Sequence, residues 1–205
     1  GTYAVKVIAK GGAIETTEYT ADFEVTEILA PVASAIAPPA KNDEDVISIF
    51  SDVYTDIAGT DFNPNWSQNT IYNAFDLNGD AILQYSNLNY QGIDLGSEID
   101  ASAMEILHLD IWTPDATSID IYPLPNGVKP ADERFVAKDL KPNNWTTINI
   151  PMSEFTDQGL PIDKLKQFKF VGSGTVFIDN IYFYKAPSPT GTPIVFDDFE
   201  GNGNI

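Results

Sequence analysis

Apolar and polar residues alternate with a period of about two along almost the whole chain, and no long stretch carries the 3.6-residue period of an amphipathic helix. The runs DVISIFSD, EILHLDIW, SIDIYPL, RFVAKDL, WTTINIPM, QFKFVGS and TVFIDNIYFY are short and rich in β-branched and aromatic residues. Gly, Pro, Asn and Asp separate them. This punctuation predicts an all-β fold, a jelly-roll β-sandwich. DAILQYSNLNYQGIDL reads as a strand with a polar connection, and DLNGD as a tight turn. Only PMSEFTDQ and PIDKLKQ leave room for a helical turn. Leu107, Leu109, Ile111, Ile119, Ile121 and Tyr85 fall on core-facing positions. So do Phe168, Phe170, Phe177 and Phe183, and Trp145 reads as a seal at a sandwich end.

The organisation along the 205 residues is uneven. TYAVKVIA and TADFEVTEI predict a β-hairpin over residues 1–28, the first run with Tyr3, Val5 and Val7 on one face and the second alternating around Phe23 and Val25. Residues 29–42, LAPVASAIAPPAKN, have the Pro/Ala composition of a linker. The main module covers 43–185, a second linker 186–194, and residues 195–205 open a further strand. Because the chain starts inside a strand pattern, it is expected to be a piece of a longer protein.

Composition narrows the partners. Eleven Lys+Arg stand against 30 Asp+Glu, a formal net charge of −19, which repels nucleic acid and anionic membranes. No cysteine is present, so disulfides and thiolate chemistry are excluded, and no apolar run is long enough to span a bilayer. No nucleophile elbow, HExxH, P-loop or dinucleotide motif occurs, and acidic pairs are too abundant to single out glycosidase carboxylates. The expectation is a protein that is not an enzyme.

Aromatic side chains in polar surroundings offer the sharper signal. A sugar ring presents a C–H face that Trp and Tyr can cover, while amides, carboxylates and imidazole serve its hydroxyls. Alternation sends His108, Asp110 and Trp112 to the outer face of one run, and Asp120 and Tyr122 to the outer face of the next. Were these runs paired as a hairpin, they would form one ligand surface. Trp66 and Asn65 lie in the polar loop TDFNPNWSQNT, and LNYQG is expected to place Tyr90 beside Gln91 in a second loop. The candidate ligand-binding set is Trp66, Trp112, Tyr122, Tyr90, Asp110, His108, Asn65 and Gln91. The alternatives stay open: Trp112 roofed by the 63–69 loop, and Trp66 pinning its own loop.

Two resemblances sharpen this. GTYAVKVIAKGG…TADFEVTEI resembles the last strands of a PKD domain, an immunoglobulin-like spacer. VISIFSDVYTD, FNPNW, LNYQGIDL, LHLDIWTPDATSIDIY, WTTINIPMSEF and QFKFVGSGTVFIDNIYFYK together resemble a carbohydrate-binding-type module. It follows PKD domains in Bacteroidetes surface glycan-binding proteins and beside laminarinase-type glycoside hydrolases. The resemblance implies non-catalytic binding of a polysaccharide, with a β-glucan such as laminarin favoured. It also implies an extracellular or outer-surface location, neighbouring modules on the same chain, and a monomer. It further implies a structural Ca²⁺ held by Asp52 and Asp179, with Asp45 or Asp56 completing the shell. A carboxylate inside the apolar strand around Asp179 needs a partner in any case, and backbone N–H groups at a strand bend are the alternative to metal. The other function classes are a spacer without a sugar site and a glycoside hydrolase fragment.

Overall fold

The alternating runs fold as antiparallel strands in a computed structural model that describes residues 2–9, 17–24 and 29–185. Strands β1 (Thr2–Ala9) and β2 (Thr17–Glu24) pair as the expected N-terminal hairpin. The second linker and the strand expected at 195–205 lie outside the described residues. The main module comprises β3 (Val46–Phe50), β4 (Ile71–Leu77), β5 (Asp80–Ser86), β6 (Tyr90–Ile99), β7 (Ile106–Trp112), β8 (Ser118–Pro125), β9 (Val136–Asp139), β10 (Trp145–Pro151), β11 (Leu165–Gly172) and β12 (Val176–Tyr184). A single helical turn, α1 (Ser153–Thr156), forms in PMSEFTDQ, whereas PIDKLKQ instead leads into β11.

These strands make a larger sheet, β10-β7-β12-β5-β4 with β3 also on β12, and a smaller sheet, β6-β11-β8-β9. From β5 onward the chain passes repeatedly between the sheets, as a jelly-roll sandwich requires. Leu107, Leu109, Ile111, Ile119, Ile121, Phe168, Phe170 and Phe183 fill the space between them. Each such side chain contributes about 1.5–3 kcal/mol by leaving water. DLNGD is the β4–β5 turn, with Asn78 and Gly79 at φ 58° and 97°. Positive φ at both central residues is what a type I′ hairpin turn needs.

The pairing corrects one sequence expectation. β7 and β8 do not form a hairpin: β7 lies between β10 and β12 of the larger sheet, and β8 between β11 and β9 of the smaller. Residues 113–117 arch across the sandwich instead. The arch is fixed by the buried Thr113, whose Oγ1 donates to the Thr175 carbonyl (2.7 Å) and accepts from the Ala116 N–H (2.8 Å).

Residues 29–42 are not a free connector. They lie along the outer face of the larger sheet, where Trp145 Nε1 donates to the Ala33 carbonyl (2.7 Å) and the Tyr54 hydroxyl donates to the Pro39 carbonyl. Ala30, Phe75, Leu77 and Trp145 pack there on Ile82, Trp112 and Phe177, a second apolar cluster outside the main core. Among the described residues, no helix is long and apolar enough to cross a membrane.

Candidate functional site

Cross-strand register decides which side chains share a face. In the smaller sheet, Gln91, Phe170, Ile121 and Val136 form one inward row. The next row, Gly92, Lys169 and Tyr122, therefore faces out. The row beyond it holds Tyr90, Val171, Asp120 and Ala137.

Trp66 sits on this outer face. A Cβ on Gly92 would lie 2.5 Å from Trp66 Cε3, 2.6 Å from Cζ3 and 2.7 Å from Cδ2. Three ring carbons at nearly equal distance mean that the indole lies flat on the Gly92 backbone, with its other face turned away from the sheet. Glycine in mid-strand is the residue that allows such an approach. The loop is held in place by the Tyr90 hydroxyl, which donates to the Trp66 carbonyl (2.6 Å), and by the Trp66 N–H, which donates to Gln68 Oε1 (2.8 Å). Trp66 and Tyr90 both stay partly exposed.

Two strands away, Tyr122 stacks on Phe135 (centroids 4.9 Å, 26°) and receives the Lys169 ammonium at 4.2 Å from its ring centre. Lys169 arrives from β11 and Phe135 from the segment before β9, so they cover opposite faces of Tyr122. The open aromatic surface is then Phe135, 42% exposed. With strands about 4.8 Å apart, Trp66 and the Tyr122–Phe135 stack stand about 10 Å apart along one cross-strand line.

The lysines beside these aromatics are paired with carboxylates, and among the described residues Asp120 on the same face has no such pair. Lys169 bonds Glu133, Lys166 bonds Asp94 (2.8 Å), and Gln167 Nε2 donates to Asp94 Oδ2 (3.0 Å). Burial pushes the Asp94 carboxyl up, but the bonds from Lys166 and Gln167 outweigh it and hold the group below its ordinary value. Burial, then the Asp120 and Glu133 charges, push the Tyr122 hydroxyl up. The result is an aromatic, nearly charge-balanced strip on a strongly acidic protein.

Several sequence-predicted residues lie elsewhere. Gln91 points into the sandwich and is fully buried, its Nε2 donating to the carbonyls of Phe62 (3.2 Å) and Gly92 (2.8 Å). It cannot touch a ligand, because its place in the strand is one residue off the outer face. Asn65 is exposed, but its Oδ1 accepts from the Ser67 N–H (3.2 Å) and shapes the turn. Trp112, His108 and Asp110 do face outward, but on the larger sheet, across the sandwich from Tyr122. Trp112 is only 4% exposed, with Phe177 edge-on at 5.5 Å. Its roof is residue Ala30 with Trp145 and Phe75, and the 63–69 loop belongs to the other sheet. Asp110 is buried, accepting from Thr147 Oγ1 (2.6 Å), Asn180 Nδ2 (3.0 Å) and facing His108 Nε2 (3.3 Å). Burial pushes Asp110 up, and these bonds reverse the effect and leave it below the ordinary carboxylate value. Trp112 and Asp110 are both buried, so neither offers an open surface to a ligand here. Phe135, Lys169 and Gln167 stand on the same outer face as Trp66 and Tyr122, and the sequence reading passed over them. The signals for them were the outward positions of Lys169 and Gln167 in QFKFVGS.

The carboxylates of Asp52, Asp80 and Asp179 line a cavity of about 310 Å³ under residues Ser34 and Pro38. Asp179 sits where β12 passes from β5 to β3, a bulge with Asn180 at φ 54°. It accepts from the Asn180 N–H (2.7 Å), the strand-bend bond anticipated as the alternative to metal. Burial, then the charges of Asp80, Asp110 and Asp52, push Asp179 up to about 7. Burial, then the neighbouring Asp80 carboxyl, also push Asp52 up. Asp80 Oδ2 is buried without a hydrogen-bond partner. Asp56 is committed to Ser48 (2.6 Å), and Asp45 bonds Asn42 and Lys185, so neither completes this group. Among the described residues, no set of three or more acidic or histidine side chains is gathered closely enough to hold a metal ion.

No family model matches the chain, and no curated protein matches it. Among solved structures it is similar to a variant of a family 29 carbohydrate-binding module complexed with mannohexaose, with TM-score 0.47 and 13% identity over 67% of this chain and 89% of that one. It is also similar to the family 11 carbohydrate-binding module of Clostridium thermocellum in complex with a β-1,3-1,4-mixed-linked tetrasaccharide, with TM-score 0.40 and 19% identity over 62% and 88%. Likenesses this distant carry no argument about a ligand.

Proposed function

We propose that the sandwich is a non-catalytic carbohydrate-binding module that captures a neutral polysaccharide on the outer face of the smaller sheet. The observation that carries this is the Trp66 indole laid flat on Gly92, in line with the Tyr122–Phe135 stack. Rigid aromatic faces spaced along an open strip suit a run of sugar residues inside a chain better than a single sugar. Lys169, Gln167 and Asp120 border the strip and offer both donors and acceptors to hydroxyls. The internal ion pairs leave little net charge to attract an ionic polymer. A β-glucan such as laminarin is the favoured ligand on the strength of the sequence resemblance, as are an extracellular or outer-surface setting and neighbouring modules that add avidity. Affinity electrophoresis against neutral polysaccharides tests the reading. The parent chain is expected to be retarded by at least one glycan, and Trp66→Ala to run unretarded. The spacer reading draws on the burial of Trp112, and an unretarded parent on every glycan would favour it. Release of reducing sugar would favour the hydrolase.

The proposed Ca²⁺ would be held by Asp52 and Asp179 in the cavity that Asp80 also lines, with backbone carbonyls and water completing its shell, since the described residues gather no third side-chain ligand closely enough. The donor set is all oxygen, as a hard cation prefers, and the unpartnered Asp80 Oδ2 and the raised Asp179 suit added positive charge. Its contribution would be to neutralise the group and fasten the β12 bulge. A chelator should lower the melting temperature. An unchanged melt counts against calcium.

A further inference from the structure

On the larger sheet, beside the last residues of the covering segment, Asn149, His108 and Tyr182 form one outward row across β10, β7 and β12. With Pro39, Lys41 and Tyr184 they line an open cup of about 280 Å³. This is at the small end of ligand pockets, the size of one sugar. Its floor is rigid: the His108 and Tyr182 rings stack at 4.6 Å and 26°. His108 Nδ1 faces Asn149 Oδ1 at 2.8 Å, and the Tyr184 hydroxyl donates to the same oxygen at 3.4 Å. With its oxygen occupied, the exposed Asn149 has its N–H donors left for the cup.

Lys41 is the unusual member. Its ammonium lies 4.4 Å from the Tyr184 ring centre, and among the described residues no carboxylate is within ion-pair distance of it. Asp45, which feels its charge, is already bonded to Asn42 and Lys185. Asp110, below His108, is buried and saturated by Thr147, Asn180 and His108. The cup therefore offers a cation and amide donors beside the apolar surfaces of Tyr184 and Pro39. A ligand that matches has a carboxylate and a C–H ring face together.

We infer that this cup is a second, independent ligand site, for a carboxylated sugar of the hexuronate class. It lies across the sandwich from the aromatic strip and differs from it in ligand charge. A free uronate and a uronate within a chain carry the same recognised chemistry.

The chain has one histidine, so the His108 imidazole signals are unique in an NMR spectrum. Sodium glucuronate, a polyuronate and, as control, glucose are titrated into the full chain. A saturable His108 shift with glucuronate or polyuronate supports the site, and the arm that responds names the source. Lys41→Met, which keeps the apolar stem, should weaken that response by about tenfold or more, as loss of a charge-assisted bond does. Trp66→Ala should leave it unchanged, which separates this site from the proposed glycan face. No saturable shift with either uronate, an equal response to glucose, or an unaltered curve in Lys41→Met overturns the inference.

Discussion

Gly92→Ala would drive a methyl group into the inner face of the Trp66 indole. The new carbon would stand 2.5 Å from Cε3, and carbon contacts are comfortable near 3.5 Å, so the ring must rise by about 1 Å. The loop resists, because Tyr90 and Gln68 hold the Trp66 backbone at 2.6 and 2.8 Å. Overpacking of this kind costs about 1–3 kcal/mol. A lifted, tilted indole also stops being a flat platform. Losing one aromatic stacking contact of about 1 kcal/mol lowers affinity several-fold. Urea unfolding followed by fluorescence gives the first quantity, and affinity electrophoresis on the retarding glycan gives the second. The decisive step is the double variant. With Trp66 already replaced by alanine, the Gly92 methyl meets no ring, so Gly92→Ala should cost close to nothing. Equal destabilisation with and without Trp66 would refute the stacking of Trp66 on Gly92.

Trp112→Ala should destabilise by about 3–5 kcal/mol while leaving glycan affinity of the folded fraction intact, since Trp112 is buried against Phe177 and Trp145; calorimetry and affinity gels read the two separately. A chain beginning at residue 43 should lose about 2 kcal/mol or more relative to one beginning at residue 29, because the Ala33–Trp145 bond and the cover over Trp112 go with the segment; equal urea midpoints would contradict that. In chelator, Asp179 should make the protein less stable as pH rises. Its folded value, about 7, lies above its ordinary 3.8, so its contribution is complete below about pH 4 and is lost as pH passes through 7. That difference is worth on the order of 4 kcal/mol, and Asp179→Asn should be more stable than the parent at pH 8 and flatter between pH 5 and 8. A parent whose stability rises over that range would contradict the sign.

Alternation alone gave the strands, the sheet faces and most of the core, because one-sided burial forces period two. It could not tell a hairpin from an arch. β7 and β8 have the same pattern whether they pair or cross, and the deciding contact is Thr113 to Thr175, far apart in sequence. For Trp112, the outward direction was right and exposure did not follow. A Pro/Ala segment with no periodicity of its own covers it, and composition gave no hint that the segment docks. Gln91 failed because LNYQG read as a loop, whereas β6 begins at Tyr90 and alternation then turns Gln91 into the sandwich. Trp66 was legible as a tryptophan among polar loop residues. Its seat on Gly92 was not, although a glycine inside an apolar strand is the trace such a seat leaves. The Asp52–Asp80–Asp179 group was seen only in part, since Asp80 read as the last residue of a turn.

The three tryptophans give one indole N–H signal each, so the central claim can be read residue by residue. On titration with the retarding polysaccharide, the Trp66 signal, assigned by its loss in Trp66→Phe, should shift and saturate. The signals of Trp112 and Trp145 should stay in place. Movement of Trp112 or Trp145 with Trp66 unmoved would put the glycan on the other face of the sandwich and contradict the account.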